Sequence, residues 1–255
     1  MSESGTGAGL VTVEVAGRVA TLTLRRPEAR NALSIALLDG LLGGLDEVAR
    51  AAGVSVVVLT GAGKSFCAGM DLKAVLGDPD APLVLLSKLA DACVKIRALP
   101  MVTVAKVNGA AIGGGCGLTC VCDMSVTHAD SKMGFPEVDL GVCPAVVAPW
   151  LVRKIGAGRA RGVLLRGGVM TGRMAFEIGM VDEIVDSALE LDAVVGRLTD
   201  RLAKGGPLAI AATKGLLNQL DGSLDAGIAR EGAELSARVL ATPEAQAMLR
   251  AKLDG

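Results

Sequence analysis

Three consecutive glycines, Gly113-Gly114-Gly115, stand immediately before the apolar run Cys116–Cys122. Lacking a Cβ, such residues let backbone N–H groups come close to a ligand, and a helix starting there points its positive dipole end at the same place. An oxygen gaining negative charge would be stabilised at that point. A tight turn with no ligand uses the same residues, so the triplet alone leaves both readings open. A titratable partner is offered by Glu137 in Phe135-Pro136-Glu137-Val138, whose apolar neighbours would raise a carboxyl pKa toward neutrality and suit it to acid/base work. Asp139, two residues on, would point the opposite way on an extended backbone, which makes it a surface or supporting group. Asp123 reads as a structural hydrogen-bonding group at a strand–helix junction.

The other reactive residue types point to packing. Cys116, Cys120 and Cys122 lack paired C-x2-C spacing and lie in an apolar segment, so they read as core thiols and no metal is expected. Cys143, beside Pro144, reads as a small buried hydrophobe. The single histidine, His128, has no second histidine near it, which leaves a zinc site or a Ser-His-Asp triad without support.

Composition excludes several classes. The 255 residues are 51% hydrophobic and 21% charged, enough for one sizeable core, and no run reaches the roughly 20 apolar residues of a membrane span. A net charge of −1, with one Trp, three Phe and no Tyr, supplies neither the field nor the stacking surfaces of a nucleic-acid binder. Six cysteines without a secretion signal favour reduced thiols. Met1–Gly9 reads as a frayed, signal-free terminus of a cytoplasmic protein.

The elements that must position these groups follow from periodicity. Val11–Val15 and Val19–Leu24 form a hairpin across Ala16-Gly17-Arg18, and Ser34 caps an amphipathic helix over Ile35–Arg50. Val54–Thr60 is a buried strand ending at Gly61-Ala62-Gly63. Ala81–Arg97 is helical, Met101–Val107 a strand, Asn108-Gly109 a turn, Cys116–Cys122 a helix entered through glycines and Met124–Thr127 a further strand. Strand, glycine turn and helix recur, implying βαβ-type layers of irregular period. Helices then dominate, over Leu189–Lys204, Pro207–Gln219 and one charged amphipathic stretch, Leu224–Leu253.

Lys64–Leu72, together with Asn108–Ile112 and the triple glycine, resembles the enoyl-CoA hydratase/isomerase, or crotonase, superfamily. The resemblance extends through Arg26-Pro27, Asn31-Ala32-Leu33, Cys122-Asp123, Phe135-Pro136-Glu137, Leu140-Gly141, Thr171-Gly172 and Gly179–Asp182, covering about Val11 to Gln219. It implies an α/β fold: a crotonase-like spiral of ββα units over residues 1–195, binding acyl-CoA, and a C-terminal helical oligomerisation region over 196–255. A homotrimer, or a hexamer of two trimers, is implied with it. By the same resemblance the N–H groups of Met70 and Gly114 hold a thioester oxygen, the Ala68 carbonyl faces the adenine amino group, and Lys73 lies near the CoA phosphates. Gly113, Gly117 and Ala145 are further substrate-binding candidates. The acyl pocket itself is expected in the variable stretch Ala74–Val94, with a neighbouring subunit's helix as a further contributor. No separate cofactor is implied, because coenzyme A is part of the substrate.

One departure from the family matters. Two-carboxylate hydratases place a glutamate three residues after the middle loop glycine, where this chain has Gly117. The second position is Glu137. Gly117, Pro136-Glu137-Val138 and Pro144–Val147 together are similar to methylglutaconyl-CoA hydratase-like members that also lack the first glutamate, and the run Ala145–Ala148, where many relatives have glycines, implies a narrower or differently shaped pocket. Three functions remain open: hydration or dehydration of an enoyl-CoA with Glu137 as acid/base, Δ3-Δ2 enoyl-CoA isomerisation, or acyl-CoA binding without catalysis.

Overall fold

The computed structural model describes residues 9–76, 78 and 80–254. Residues 1–8 of the expected frayed terminus lie outside the described residues, as do Gly77 and Pro79 in the stretch expected to shape the acyl pocket. The strands are β1 (Val11–Ala16), β2 (Val19–Leu24), β3 (Val56–Gly61), β4 (Ser65–Cys67), β5 (Val102–Val107), β6 (Ala110–Ile112), β7 (Met124–His128), β8 (Lys132–Gly134), β9 (Val169–Thr171) and β10 (Glu183–Val185). A six-stranded sheet has the order β1-β2-β3-β5-β7-β10, and a four-stranded sheet the order β4-β6-β8-β9.

The two orders share one logic. Each long strand β3, β5 and β7 passes within a few residues into a short strand of the second sheet, and β3-β5-β7 and β4-β6-β8 are both parallel. A helix follows two of these strand pairs, Ala81–Ala98 after β4 and Gly114–Val121 after β6. The recurrence seen as strand, turn and helix is therefore a ββα spiral. The turn after each long strand hides a three-residue strand too short to show a period of two.

Burial on both faces explains the aliphatic runs. In β3, Val57 and Leu59 join the main core, while Val56 and Val58 pack with Val104, Val126, Leu191 and Val195 on the opposite face. A parallel strand covered on both sides reads as a continuous run of this kind. Ser34 does cap the helix Ile35–Arg50, its hydroxyl accepting from Leu37 N–H at 3.2 Å.

Side chains hold the corners where the sheets exchange. Asn31, fully buried at φ +56°, donates from Nδ2 to the carbonyls of Ser65 (2.8 Å) and Phe66 (3.2 Å) and accepts from Arg26 N–H. Asn108 accepts from Gly61 N–H at 3.2 Å and donates to Gly63 O at 2.9 Å. Asp123 accepts from Thr103 N–H, the Thr103 hydroxyl and Lys214 Nζ, at 2.8, 2.9 and 2.7 Å, fixing the junction after the Gly114–Val121 helix.

The C-terminal stretch differs from its sequence pattern. It divides into helices Ala226–Leu240 and Pro243–Asp254. Pro243 supplies no N–H to continue the first helix, and the Thr242 hydroxyl accepts from Ala245 N–H at 3.3 Å to start the second. Both helices reach the main core, through Ala233, Leu240 and Leu249. The helix Leu191–Leu202 runs unbroken across residue 195, where the core was expected to give way to the C-terminal region.

Candidate active site

The exits of β4 and β6 lie side by side, because Ser65 pairs with Ala110 and Cys67 with Ala111. Beyond β4, Leu33 forms an isolated parallel bridge with Met70: its N–H donates to Gly69 O at 2.7 Å and its carbonyl accepts from Asp71 N–H at 3.0 Å. A parallel bridge uses the groups on either side of the bridged residue, so the N–H of Met70 itself turns away from Leu33. Gly69, at φ +87°, sits against the Ile112 carbonyl, which an added Cβ would approach to 2.9 Å.

Beyond β6, Gly113 takes φ +52° and ψ −114° and donates to Gly134 O at 2.8 Å. Gly114 then opens a helix, so its N–H has no intrahelical acceptor. Neither Met70 N–H nor Gly114 N–H finds an acceptor among the described residues. Both residues line one cavity of about 110 Å³. Two free donors meeting at one cavity, one of them at a helix N-terminus, suit an oxygen that gains negative charge.

Glu137 lines the same cavity. It has helical φ and ψ and leads directly into a 3-10 turn, Val138–Leu140, rather than a strand. Asp139 therefore does not alternate with it across an extended backbone. Its carboxylate instead accepts from Gly168 N–H at 2.7 Å, on the far side of the turn. The Glu137 backbone is pinned by Leu140 and Val142, whose N–H groups donate to its carbonyl at 3.0 and 2.8 Å. Its Oε2 is buried with no hydrogen-bond partner among the described residues. Removal from water raises its carboxyl pKa to about 7. An added Cβ on Gly113 would come within 2.8 Å of Glu137 Oε1, so this glycine makes room for the carboxylate.

Ala68, Met70, Gly113, Gly114 and Glu137 are thus gathered around one cavity. Gly117, Ala145 and Lys73 are not among its lining residues. Gly117 lies beneath Val147, whose side chain occupies the space that a side chain at 117 would take. The Ala145 backbone faces the helix Ala226–Leu240, and Lys73 is exposed on the short helix Leu72–Leu76. The apolar wall of the cavity comes partly from the stretch expected to shape the acyl pocket, through Leu85, Leu86 and Leu89, and partly from Leu33, Val142, Val146 and Val147. Ser236 also lines it, and no local pattern in the sequence marks a residue of the charged C-terminal stretch as part of this wall.

Cys116, Cys120 and Cys122 are buried, and burial pushes the Cys120 and Cys122 thiols up to about 12. They are inert packing groups. Cys143 lines the cavity and is half-buried, more open than a core hydrophobe. His128 ends β7 outside the cavity lining. Among the described residues no three His, Cys, Asp or Glu side chains are grouped to hold a metal.

A cleft that offers two backbone donors without an acceptor among the described residues and one desolvated carboxylate has the groups needed to polarise a carbonyl and move a proton. Residues 14–247 match the enoyl-CoA hydratase/isomerase family, to which the chain belongs. It is 35% identical to the 2,3-dehydroadipyl-CoA hydratase of Escherichia coli over 84% of either chain. To an enoyl-CoA hydratase of Alternaria alternata it is 38% identical, over 82% of this chain and 70% of the relative. Among solved structures, an enoyl-CoA hydratase of Mycobacterium avium aligns with a TM-score of 0.86 at 32% identity, covering 96% of each chain. One from Bacillus halodurans aligns at 0.89 with 25% identity, covering 95% of this chain and all of that one (100%). The chain is an enzyme of this hydratase/isomerase family, with the crotonase fold and acyl-CoA chemistry of hydratase type.

Proposed function

We propose that the protein adds water reversibly across the C2=C3 double bond of an enoyl-CoA. The observation that carries this is the pair of N–H groups, Met70 and Gly114, without an acceptor among the described residues, sharing a cavity with the Glu137 carboxylate, whose buried Oε2 has no hydrogen-bond partner among them either. The thioester oxygen accepts from both N–H groups. Glu137 takes a proton from water as the water oxygen bonds to C3. The double-bond electrons move into the thioester enolate, and the proton is delivered to C2. Each donor contributes roughly 3 kcal/mol to holding the enolate, by analogy with removal of one oxyanion donor elsewhere.

Ala68 O and the exposed Lys73 are assigned to the adenine and phosphate portions of CoA. Gly113 stays close to the carboxylate. Gly117 and Ala145 act through the wall they support rather than by touching substrate. Coenzyme A arrives with the substrate and no further cofactor is needed. The helical region 196–255 is assigned to assembly into a homotrimer or a hexamer of trimers, working in the cytoplasm; among the described residues no helix is long and apolar enough to cross a membrane.

Among the described residues the lining is apolar apart from Glu137, Cys143 and Ser236 and contains no cationic side chain. An unpaired acyl carboxylate would be costly there, which favours an uncharged acyl chain over the dicarboxylic types named for the E. coli relative or implied by methylglutaconyl-CoA. One observation favours isomerisation as the second function: at position 117, where two-carboxylate hydratases place a glutamate, the space is filled by the apolar Val147 side chain. Short and branched enoyl-CoAs, followed by loss of the conjugated thioester absorbance in isotopically labelled water, separate the two. Hydration incorporates labelled oxygen, isomerisation of a 3-enoyl-CoA does not, and no turnover with either substrate class defeats both.

A further inference from the structure

We infer that Ser236, from the helix Ala226–Leu240, is a positioning residue for the wall of the acyl site, which it sets by clamping the loop Cys143–Ala145. This rests on the enoyl-CoA function proposed above and adds a specificity element to it. Ser236 is 1% exposed, and its hydroxyl donates to the Cys143 carbonyl at 2.7 Å and accepts from Ala145 N–H at 3.1 Å. A single side chain therefore satisfies both backbone groups of the loop, and either would be left unpaired without it.

Gly232 lies one helical turn earlier on the same face. An added Cβ there would come within 2.6 Å of the Ala145 carbonyl. Helix and loop are thus in contact at two successive turns, one through a hydrogen-bonded hydroxyl and one through the absence of a side chain. The loop has no slack on either side. It is preceded by Val142, whose N–H holds the Glu137 carbonyl, and followed by Val146 and Val147, which line the cavity, Val147 also covering Gly117. A shift of the loop moves the carboxylate turn and the acyl wall together. The Ser236 hydroxyl proton is committed to the Cys143 carbonyl, so it is not available to donate to a reacting atom in this arrangement.

Cys143 gives a readout independent of turnover, since it is half-buried while the other five cysteines are buried. Ser236→Ala, Gly232→Ala and Ser236→Thr are compared with Leu240→Val, which weakens the core end of the same helix without touching the loop. Ser236→Ala and Gly232→Ala are expected to raise the iodoacetamide alkylation rate at Cys143 about tenfold. They should lower kcat by a similar factor while KM for an enoyl-CoA changes less than about twofold. Ser236→Thr, which keeps the hydroxyl, restores most of both, and Leu240→Val leaves both near wild type. If Ser236→Ala matches Leu240→Val in alkylation and in kcat, the positioning role is overturned. Should Ser236→Ala not fold, Gly232→Ala decides by the same criteria. A wild-type protein that turns over no enoyl-CoA defeats the proposed reaction, whereas the alkylation comparison still decides whether Ser236 holds the loop.

Discussion

The two halves of the site are built from different material. The donor half, Ala68–Met70 and Gly113–Gly114, is backbone issuing from paired parallel strands and braced by Asn31 and Asn108. The carboxylate half, Glu137 to Val147, is a 3-10 turn and a loop without strand pairing, held by two hydrogen bonds to the Glu137 carbonyl, one to Asp139 and two to Ser236. Carbonyl polarisation needs fixed dipoles, and strand ends supply them. In the proposed reaction, proton transfer and acyl selection fall to side chains on a segment that can be altered without disturbing the sheets.

The sharpest way to separate the halves is Glu137→Gln. It is expected to lower kcat by about 10²- to 10⁴-fold with little change in acyl-CoA affinity, because the donor half is untouched; single-turnover rates and equilibrium binding check this. Gly114→Ala strikes the other half, since the new Cβ falls 2.6 Å from Leu33 Cδ1 and 3.3 Å from Leu89 Cδ2. Displacing that donor should cost about 10²-fold in kcat. The pH dependence of kcat/KM for Glu137 should be unchanged in this variant.

Stability is expected to follow pH with a definite sign. The Glu137 carboxyl has a folded pKa of about 7 against 4.5 for the free group, so the fold favours its protonated form. That contribution is fully present below the unfolded value and is lost as pH rises toward 7. Gln mimics the neutral acid, so Glu137→Gln should be more stable than wild type at pH 8 by up to about 3 kcal/mol and no different at pH 4, measured by denaturant unfolding. The most active protonation state is then the less stable one. Activity in the hydration direction should rise with pH through a midpoint near 7, the folded value of the base.

The smallest expected effect concerns the covered glycine. Gly117→Ala forces its Cβ into Val147 and should destabilise by about 1–3 kcal/mol, and pairing it with Val147→Ala should recover most of the loss, a coupling visible in a double-mutant cycle.

These differences also explain what could be read from the sequence. The hairpin, the Ser34 cap, the buried run of β3 and the glycine entry to the helix at Gly114 are local patterns and were legible as such. The short strands β4, β6, β8 and β9 were not, because three residues carry no period and their identity comes from pairing. Glu137 was legible through its apolar neighbours. The turn conformation that separates it from Asp139 was not, since it depends on Gly141 at φ +67° and on the hydrogen bonds to its own carbonyl. Ser236, about a hundred residues from the loop it holds, has no local signature. Val147 over Gly117 is likewise a tertiary contact, invisible until the helix Gly114–Val121 and the loop are placed together.

The central claim is that the desolvated Glu137 carboxylate does the proton chemistry on a thioester held by backbone donors. Measuring kcat and acyl-CoA affinity side by side for wild type and Glu137→Gln with one short enoyl-CoA tests it most directly. The account predicts turnover by the wild type, loss of at least about 10²-fold in the variant, and near-equal affinity. A variant that keeps wild-type kcat would contradict it.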